Sequence, residues 1–314
     1  MVVTIVVHFR DDQSPEGDFF YGRRAIMLIK EFASKLELPK EAIQAIFSMK
    51  FTESEYRHYH TLFYQNREVF FKEIESKENG SQIFLTLYVH FFYERYCQMN
   101  QEDAVILMNG AKDLTLWANV CFHYYQVWGI QPYMWRFVDR IIDGTIVRID
   151  CLEFEVKSVM EDIRCEEIFL LKERSLIINI HVPEQATLDI DRCKKAMDQA
   201  VRYFKHIPPI FYCDSWMLAP VLKTLLPQES KILQFQNLFN IIDKDEDNHL
   251  MEERIFDDIL DDPKDYEEDT TLQRTAKAHL MKGGKLGTGI GIITSYYYRE
   301  RYVSYIGNHK DMVE

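Results

Sequence analysis

The chain has 314 residues, of which 47% are hydrophobic and 14% aromatic, so it is long enough for two domains and too apolar for a disordered protein. Its formal net charge of −13 disfavours nucleic acid or an anionic membrane as the main partner. The six cysteines show no CxxC spacing, which argues against zinc and favours a reducing, cytoplasmic location. The opening sequence MVVTIVVHFRDD has an apolar run too short for a signal peptide or a membrane span.

A helical pattern covers the first part of the chain, from about residue 21 to residue 142. Apolar residues return every three or four positions in EYRHYHTLFYQNREVFFKEI and FLTLYVHFFYERYCQM. A further helix begins at Asp113 and ends at Gly129, which is placed as a C-cap. Aromatic residues at this spacing are typical of a core, with the lining of a ligand pocket as the alternative. The pattern predicts an all-helical N-terminal domain over 1–142.

Strands and helices alternate in the second part of the chain, which we predict to be an α/β domain over 143–314. The apolar run SLIINIHV is typical of a strand buried on both faces, and Pro183 ends it. We expect strands near 145–157, 166–172, 175–182, 209–214, 254–256 and 287–295, and helices from Asp189 or Asp191 to 205, over 230–240 and from Thr270 or Thr271 to Gly283.

The segment DKDEDNHLMEER at 243–254 resembles a calcium-binding EF-hand loop in its first half. Asp243, Asp245 and Asp247 stand at loop positions one, three and five. The sixth position holds Asn248 instead of glycine, and the twelfth holds the cation Arg254 instead of a bidentate glutamate. These two departures favour a solvated acidic connection over a calcium site.

Several stretches carry a family resemblance that covers most of the chain. They are, in chain order, IVRIDCLEFEV, INIHVP, FYCDSWMLAPVL, LPQESKILQFQNLF and DTTLQRTAKAHLMKGGKLGTGIG. In order and spacing they resemble the two-domain bacterial acyltransferases that have a helical N-terminal domain and a GNAT-like C-terminal domain. The resemblance implies a mixed central sheet flanked by helices. It also implies that DKDEDNHL connects the helix around FQNLF to the next strand.

The resemblance implies an acyl-CoA site between two strands. In GNAT enzymes the strands that end here at His181 and Asp214 splay apart, and acyl-CoA lies in the gap. Its pyrophosphate would bind where the intervening helix begins. This implies the cofactor-binding residues Thr187, Leu188, Asp189 and Arg192. Acetyl-CoA or a longer acyl-CoA is the expected co-substrate, and no metal is expected.

Acyl transfer to an amine needs a base, donors for the oxyanion and an acid for the leaving thiolate. We identify His181 as the candidate base, and a histidine held by backbone at a strand end is the alternative. Asp214 is a second candidate for base or amine binding, and Ser215 for oxyanion donor. Either side chain is alternatively a local turn cap. Cys213 is a candidate nucleophile, although a buried structural thiol is the more common case in an apolar strand.

One loop departs from the GNAT pattern. Where these enzymes carry Arg or Gln and a glycine-containing turn, this chain has PEQATL, with Glu184 and no glycine. The glycine-rich MKGGKLGTGIGI does not replace that turn, because it follows a helix and enters a strand; Lys282 and Lys285 make it only a weak anion-binding candidate. We therefore predict an acyl-CoA-dependent N-acyltransferase for a small-molecule amine. The alternative is a non-catalytic GNAT-like protein that binds a metabolite or a partner.

Overall fold

The computed structural model describes residues 29–165, 168–184 and 186–293. The chain divides into two compact units, Met1–Arg148 and Ile149–Glu314. The domain limit that we predicted between 142 and 143 stays a prediction. The opening run at 1–12, the start of the helical pattern at 21–28 and the strand ends predicted at 166–167 and 294–295 lie outside the described residues.

Helices follow one another through the first unit. The helix that follows Thr52 begins with a capping box, because Thr52 Oγ1 accepts from the Glu55 N–H at 3.2 Å while the Thr52 N–H donates to the Glu55 carboxylate at 2.7 Å. The last helix of the unit begins with Pro132, whose fixed φ suits the first turn. The helices are 29–35 (α1), Lys40–Ser48 (α2), Glu53–Gln65 (α3), Arg67–Glu75 (α4), Gly80–Gln98 (α5), Gln101–Ala111 (α6), Asp113–Tyr125 (α7) and Pro132–Ile142 (α8).

Aromatic side chains form the core of this first unit. Phe84 and Trp135 stack with their ring centroids 4.8 Å apart, and Tyr88 and Phe91 are completely buried. The Tyr88 hydroxyl donates to Asp139 at 2.8 Å, so the buried phenol has a partner. Most of the aromatic residues from Phe63 to Phe92 therefore pack as core, as their helical spacing predicted, whereas Tyr124 and Tyr125 at the end of α7 are exposed.

A mixed sheet organises the second unit. The strands are Ile146–Ile149 (β1), Leu152–Ser158 (β2), Ile163–Cys165 (β3), Ile168–Leu171 (β4), Leu176–His181 (β5), Phe211–Ser215 (β6), Asn240–Asp245 (β7) and Thr288–Ile293 (β8). Within the described residues, six strands form one sheet in the order β1-β2-β5-β6-β8-β7, and β3 and β4 form a separate hairpin. Strands β5 and β6 are parallel, whereas the pairs β2–β5, β6–β8 and β7–β8 are antiparallel.

Helices flank this sheet, which confirms the predicted mixed α/β fold. The helix between β5 and β6 buries four residues at helical spacing, Cys193, Ala196, Met197 and Ala200. The helices of this unit are Ile190–Tyr203 (α9), Leu222–Leu225 (α10), Lys231–Gln236 (α11), Leu250–Phe256 (α12) and Thr271–Leu280 (α13). None of the helices in the described part of the chain combines the length and apolar character that crossing a bilayer needs.

The structure corrects two predicted elements between residues 230 and 256. The predicted helix over 230–240 ends at Gln236, and Asn240–Asp245 forms the edge strand β7, which pairs with β8. The predicted strand near 254–256 is helical, because Met251 and Phe256 in α12 pack into a core cluster with the other helices of this unit. An apolar run of three residues is too short for its period to be read, and its packing decides its conformation.

The EF-hand resemblance has no structural counterpart. Asp243 and Asp245 lie on β7 instead of a loop, so the predicted connection DKDEDNHL begins as a strand. The Asp245 carboxylate accepts from the Asp247 N–H at 3.1 Å, and Asp247 pairs with Lys285. Among the described residues no group of three acidic, histidine or cysteine side chains is arranged to hold a metal ion.

Candidate functional site

The parallel strands β5 and β6 are paired over only two residues. The register pairs Ile178 with Phe211 and Asn179 with Tyr212, and no further pair of these two strands occurs in the described residues. Beyond this point β5 stays with β2 as far as His181, whereas β6 stays with β8 as far as Ser215. Because paired strands lie about 4.8 Å apart, two strands that stop pairing leave a gap between them. The gap opens between the carboxyl end of β5 and that of β6.

Polar side chains line one face of the sheet on both sides of this gap. Side chains alternate between the faces of a strand, and the register places Glu155, Asn179 and His181 on the same face as Tyr212 and Asp214. The opposite face of these strands is mainly apolar, with Ser158 at the end of β2 and Ser215 at the end of β6. A polar face at the point where two strands separate is where a ligand can reach both strands.

His181 is held by a carboxylate. Its Nε2 lies 3.0 Å from Glu155 Oε2. The same nitrogen lies 3.0 Å from Asn179 Nδ2, an N–H donor that can bond to Nε2 only when Nε2 carries no proton. The His181 side chain is 25% exposed and that of Glu155 only 7%, so the ring reaches the surface while its partner is buried. With Nε2–H directed at the carboxylate, the lone pair lies on Nδ1. This arrangement suits a general base.

Glu155 belongs to a short chain of charged groups. Lys157, two residues further along β2, places its ammonium 3.7 Å from Glu155 Oε2. Desolvation raises the pKa of Asp214, and the charge of the same ammonium offsets part of that rise. Lys157 thus links the histidine–carboxylate pair on β5 and β2 to the acid on β6.

Asp214 and Ser215 stand on the other side of the gap from His181. Desolvation raises the pKa of Asp214, Lys157 opposes that rise, and the carboxylates of Asp245 and Asp243 add to it. The Ser215 hydroxyl accepts from the Met217 N–H at 3.2 Å and so caps the short turn Trp216–Leu218. A hydroxyl that accepts in this way keeps its own proton for donation.

Cys213 lies on the opposite face of β6 and is buried. Burial raises the pKa of the Cys213 thiol to about 12, with the charge of Asp214 acting in the same direction. The thiolate, which is the reactive form, is therefore disfavoured. The structure supports the reading of Cys213 as a buried structural thiol.

The four predicted cofactor-binding residues come together at the start of α9, and all are engaged locally. The Asp189 carboxylate caps the helix by accepting from the Arg192 N–H at 2.9 Å. The Arg192 guanidinium donates through Nε to Asp150 at 2.8 Å. Leu188 is buried, and the Thr187 carbonyl accepts from the Asp189 N–H at 2.8 Å. A carboxylate at a helix N-terminus occupies the place that favours a phosphate.

A cation lies beside the acidic loop that precedes α9. Arg254, on α12, approaches Glu184 to 3.6 Å, so part of the negative charge of the loop is balanced. Arg254 is the cation at the twelfth position of the EF-hand-like segment. Its contact with Glu184 was not predicted from the sequence. Glu184, the acid in this loop, thus has an opposite charge beside it, which α12 supplies through Arg254.

The glycine-rich segment forms the predicted helix end and turn. Gly283 and Gly287 have φ of 77° and 66°, a conformation that favours glycine. Gly289 on β8 meets the Leu218 carbonyl so closely that an added Cβ would lie 2.2 Å from its oxygen. Beside the start of β8 a cavity of about 490 Å³ is lined by residues that include His279, Lys285 and Thr288.

Sequence reasoning named His181 as a candidate but did not name its neighbours Glu155 and Asn179. A signal for both was present. LEFEV alternates apolar residues with Glu153 and Glu155, two charged residues on one face of a strand, and Asn179 is a lone polar residue within the apolar run LIINIH. A polar residue inside a buried strand needs a polar partner. Here the side chains of both Glu155 and Asn179 contact His181.

The part of the chain that forms the mixed sheet is similar to a known protein family. The family model described as GNAT-like C-terminal domain matches residues 146–293. The search of the curated proteins found no match.

Solved structures similar to the chain are acyltransferase complexes. One, an acyltransferase in complex with decanoyl-CoA, is 15% identical with a TM-score of 0.63 and covers 84% of this chain and 86% of its own. Another, an acyltransferase in complex with CoA and 10C-teicoplanin, is 14% identical with a TM-score of 0.64; the match covers 84% of this chain and 87% of that structure's chain. A third, a mutant acyltransferase with octanoyl-CoA, is 15% identical with a TM-score of 0.63 over 84% and 87%. The chain therefore has the fold of these proteins, with N-terminal helices followed by a GNAT-like mixed sheet.

Proposed function

We propose that this protein is an acyl-CoA-dependent N-acyltransferase that acylates an amine of a small molecule. The observation that carries the proposal is the gap between β5 and β6 with the His181–Glu155 pair at its edge. The match to the GNAT-like model and the acyl-CoA complexes of the similar structures support the same reading.

In this proposal the acyl thioester lies in the gap between the strands. His181 takes a proton from the acceptor ammonium through Nδ1, and Glu155 holds the ring and stabilises the imidazolium that forms. Asp214, across the gap, attracts the acceptor ammonium before the proton leaves. The Ser215 hydroxyl donates to the oxyanion of the tetrahedral intermediate.

When this intermediate collapses, the C–S bond breaks and the CoA thiolate leaves. The His181 imidazolium returns its proton to that sulfur, and the acylated nitrogen loses its second proton to water. His181, Glu155 and Asp214 lie on the polar face beside the gap. Ser215 is the last residue of β6 and alternates to the face of Cys213, so its proposed role requires that the acyl group reach past the end of that strand.

The CoA pyrophosphate would lie at the start of α9, beside Thr187, Leu188, Asp189 and Arg192. For this, Arg192 has to exchange its partner Asp150 for a phosphate oxygen, which a guanidinium binds bidentately. Acetyl-CoA or a longer acyl-CoA is the proposed co-substrate. The similar structures hold decanoyl-CoA and octanoyl-CoA, so medium acyl chains belong in the first screen.

The acceptor is proposed to be a small-molecule amine. One similar structure is a complex with decanoyl-CoA and teicoplanin, which supports a small-molecule acceptor in place of a protein. The acidic surface of β6 and β7, with Asp214, Asp243 and Asp245, favours a cation. A bacterial source and a cytoplasmic location remain predictions, the latter from cysteine usage.

A second candidate function is favoured by the start of α9. The Asp189 carboxylate fills the helix N-terminus, Asp191 adds a second acid to the first turn, and the preceding loop lacks glycine. These features favour a GNAT-like protein that has lost the phosphate site and binds a metabolite or a partner without catalysis. The two functions differ in whether CoA binds.

A thermal-shift titration with CoA, acetyl-CoA and decanoyl-CoA separates them. A ligand that binds only the folded state raises the melting temperature, so a rise with acyl-CoA is the result expected for the enzyme. No shift with any of the three refutes the acyltransferase and leaves the binding protein.

Release of CoA thiol in the presence of candidate amines then tests the base. We expect His181→Ala to reduce turnover about a hundredfold or more with little change in CoA affinity. The matched control is His249→Ala, which removes a histidine paired with Glu252 at 2.7 Å elsewhere in the same unit. Near-normal turnover of His181→Ala removes this residue from the mechanism.

A further inference from the structure

Two buried thiols meet at the start of α9. Cys151 Sγ lies 3.8 Å from Cys193 Sγ, and both residues are buried. Cys151 is in the turn between β1 and β2, whereas Cys193 is in the first turn of α9, so 42 positions separate them in sequence. Neither thiol has a role in the proposed acyl transfer.

A second link runs beside the thiol contact. Asp150 and Arg192, the residues just before the two cysteines, form an ion pair, with Arg192 Nε 2.8 Å from Asp150 Oδ1. Asp150 has φ of 55°, so the turn adopts the left-handed conformation that directs both Asp150 and Cys151 to α9. The ion-pair side chains are 54% and 29% exposed for Arg192 and Asp150. Each buried thiol therefore directly follows, in sequence, one member of a partly exposed ion pair.

The two thiols differ in acidity. The hydrogen bond with Cys193 lowers the pKa of Cys151 against the effect of burial, and Arg192 acts in the same direction. The hydrogen bond with Cys151, together with burial, raises the pKa of Cys193. The contact therefore favours the thiolate at Cys151, and Cys193 is the thiol that lies within reach of it once Cys151 is oxidised.

We propose that Cys151 and Cys193 are a redox site that closes to a disulfide under peroxide. The Cys151 thiolate attacks one peroxide oxygen, so an S–O bond forms, the O–O bond breaks and hydroxide leaves. The Cys193 sulfur then attacks the sulfur of the sulfenic acid, an S–S bond forms and a second hydroxide leaves. The two thiol protons convert both hydroxides to water. Two thiols and one hydrogen peroxide thus give one disulfide and two waters.

Closure would act on the start of α9. The sulfur atoms have to approach from 3.8 Å to about 2.0 Å, which pulls the first turn of the helix to the β1–β2 turn. This consequence rests on the proposed function, because the same turn is where the CoA pyrophosphate would bind. A displaced helix start loses a charge-assisted hydrogen bond to phosphate, so CoA affinity falls about tenfold in the oxidised protein.

The experiment treats the folded full-length protein with hydrogen peroxide, blocks remaining thiols with an alkylating agent and identifies linked peptides by mass spectrometry. The expected result is a peptide pair joined through Cys151 and Cys193 that lacks two hydrogen atoms and disappears on reduction. Absence of this linkage, or its formation only after unfolding, overturns the proposal.

Variants and ligand binding complete the test. Cys193→Ser abolishes the linkage and leaves sulfenic acid on Cys151, whereas the matched control Cys121→Ser, at a buried thiol of the first unit, leaves the linkage intact. If a variant does not fold, the wild-type linkage alone decides. A linkage without CoA binding in either redox state supports the redox site and refutes the proposed function. CoA binding that is equal in both states overturns the effect on α9.

Discussion

Replacing Glu155 by glutamine removes the charge that positions His181 and keeps the shape of the side chain. The Glu155 oxygen lies 3.0 Å from His181 Nε2, so the pair is a charge-assisted hydrogen bond when the ring is protonated. Such bonds contribute about 1.5–3 kcal/mol, and each 1.4 kcal/mol is about tenfold in rate. We therefore expect Glu155→Gln to lower kcat by roughly tenfold to a hundredfold, with KM for acyl-CoA nearly unchanged.

The assay is steady-state release of CoA thiol at saturating acyl-CoA and amine. A control for the loss of one negative charge is Glu173→Gln, at an exposed turn where its carboxylate pairs loosely with Arg174 at 3.5 Å. This variant should keep wild-type kcat. Melting temperatures of both variants show whether a loss of activity reflects unfolding.

A double-variant cycle tests whether Glu155 acts through His181. If the carboxylate only orients the histidine, Glu155→Gln adds no further loss to His181→Ala, because the group it positions is already gone. Two losses that add in free energy would mean that Glu155 contacts the substrate itself. A kcat of Glu155→Gln within a factor of two of wild type would refute the positioning role.

Three other changes have defined outcomes. Asp189→Asn keeps the helix cap and removes its charge, so CoA should bind roughly threefold more tightly in calorimetry, and unchanged affinity would place the phosphates elsewhere. Desolvation raises the pKa of Asp214 in the folded state, so the ionised carboxylate lowers the stability of the protein at neutral pH. At a pH where the group is protonated in both the folded and the unfolded state, this loss of stability disappears. Asp214→Asn should therefore raise the melting temperature at pH 7 but not at about pH 3. Gly289→Ala places a methyl 2.2 Å from the Leu218 carbonyl oxygen and should cost about 1–3 kcal/mol in denaturant unfolding; a wild-type midpoint would refute that contact.

Patterns longer than one helical turn predicted the fold well. The run LIINIH at 176–181 and the helix that starts after Asp189 were identified correctly because burial and a capping residue act within the segment itself. The segment over 230–256 was not predicted correctly. Strand β7 exists because β8 pairs with it at Asn240 and beyond, and that partner lies about fifty residues later in the chain. Local sequence does not contain this pairing.

The site was predicted in part, and the limit has the same physical origin. His181 was singled out because it ends a strand beside the predicted cleft and because the ordinary pKa of a histidine suits a base. Glu155 became its partner only through the antiparallel register of β2 and β5, which sets Glu155 opposite Asn179 and brings the carboxylate to the ring. The partner of Arg254 is similarly set by tertiary packing, since Glu184 precedes it by seventy positions.

The start of α9 is where the fold and the local sequence give opposite indications. Strands β5 and β6 separate as they do in a protein that admits a thioester, yet the helix that follows β5 begins with its own carboxylate. The two observations agree if the phosphates are held by side chains instead of bare amides. Arg192 and Arg254 stand on two sides of the loop, and each is paired with an acid, Asp150 and Glu184, that it can exchange for a phosphate. In that case both arginines contribute to CoA affinity, whereas a glycine turn would make neither necessary.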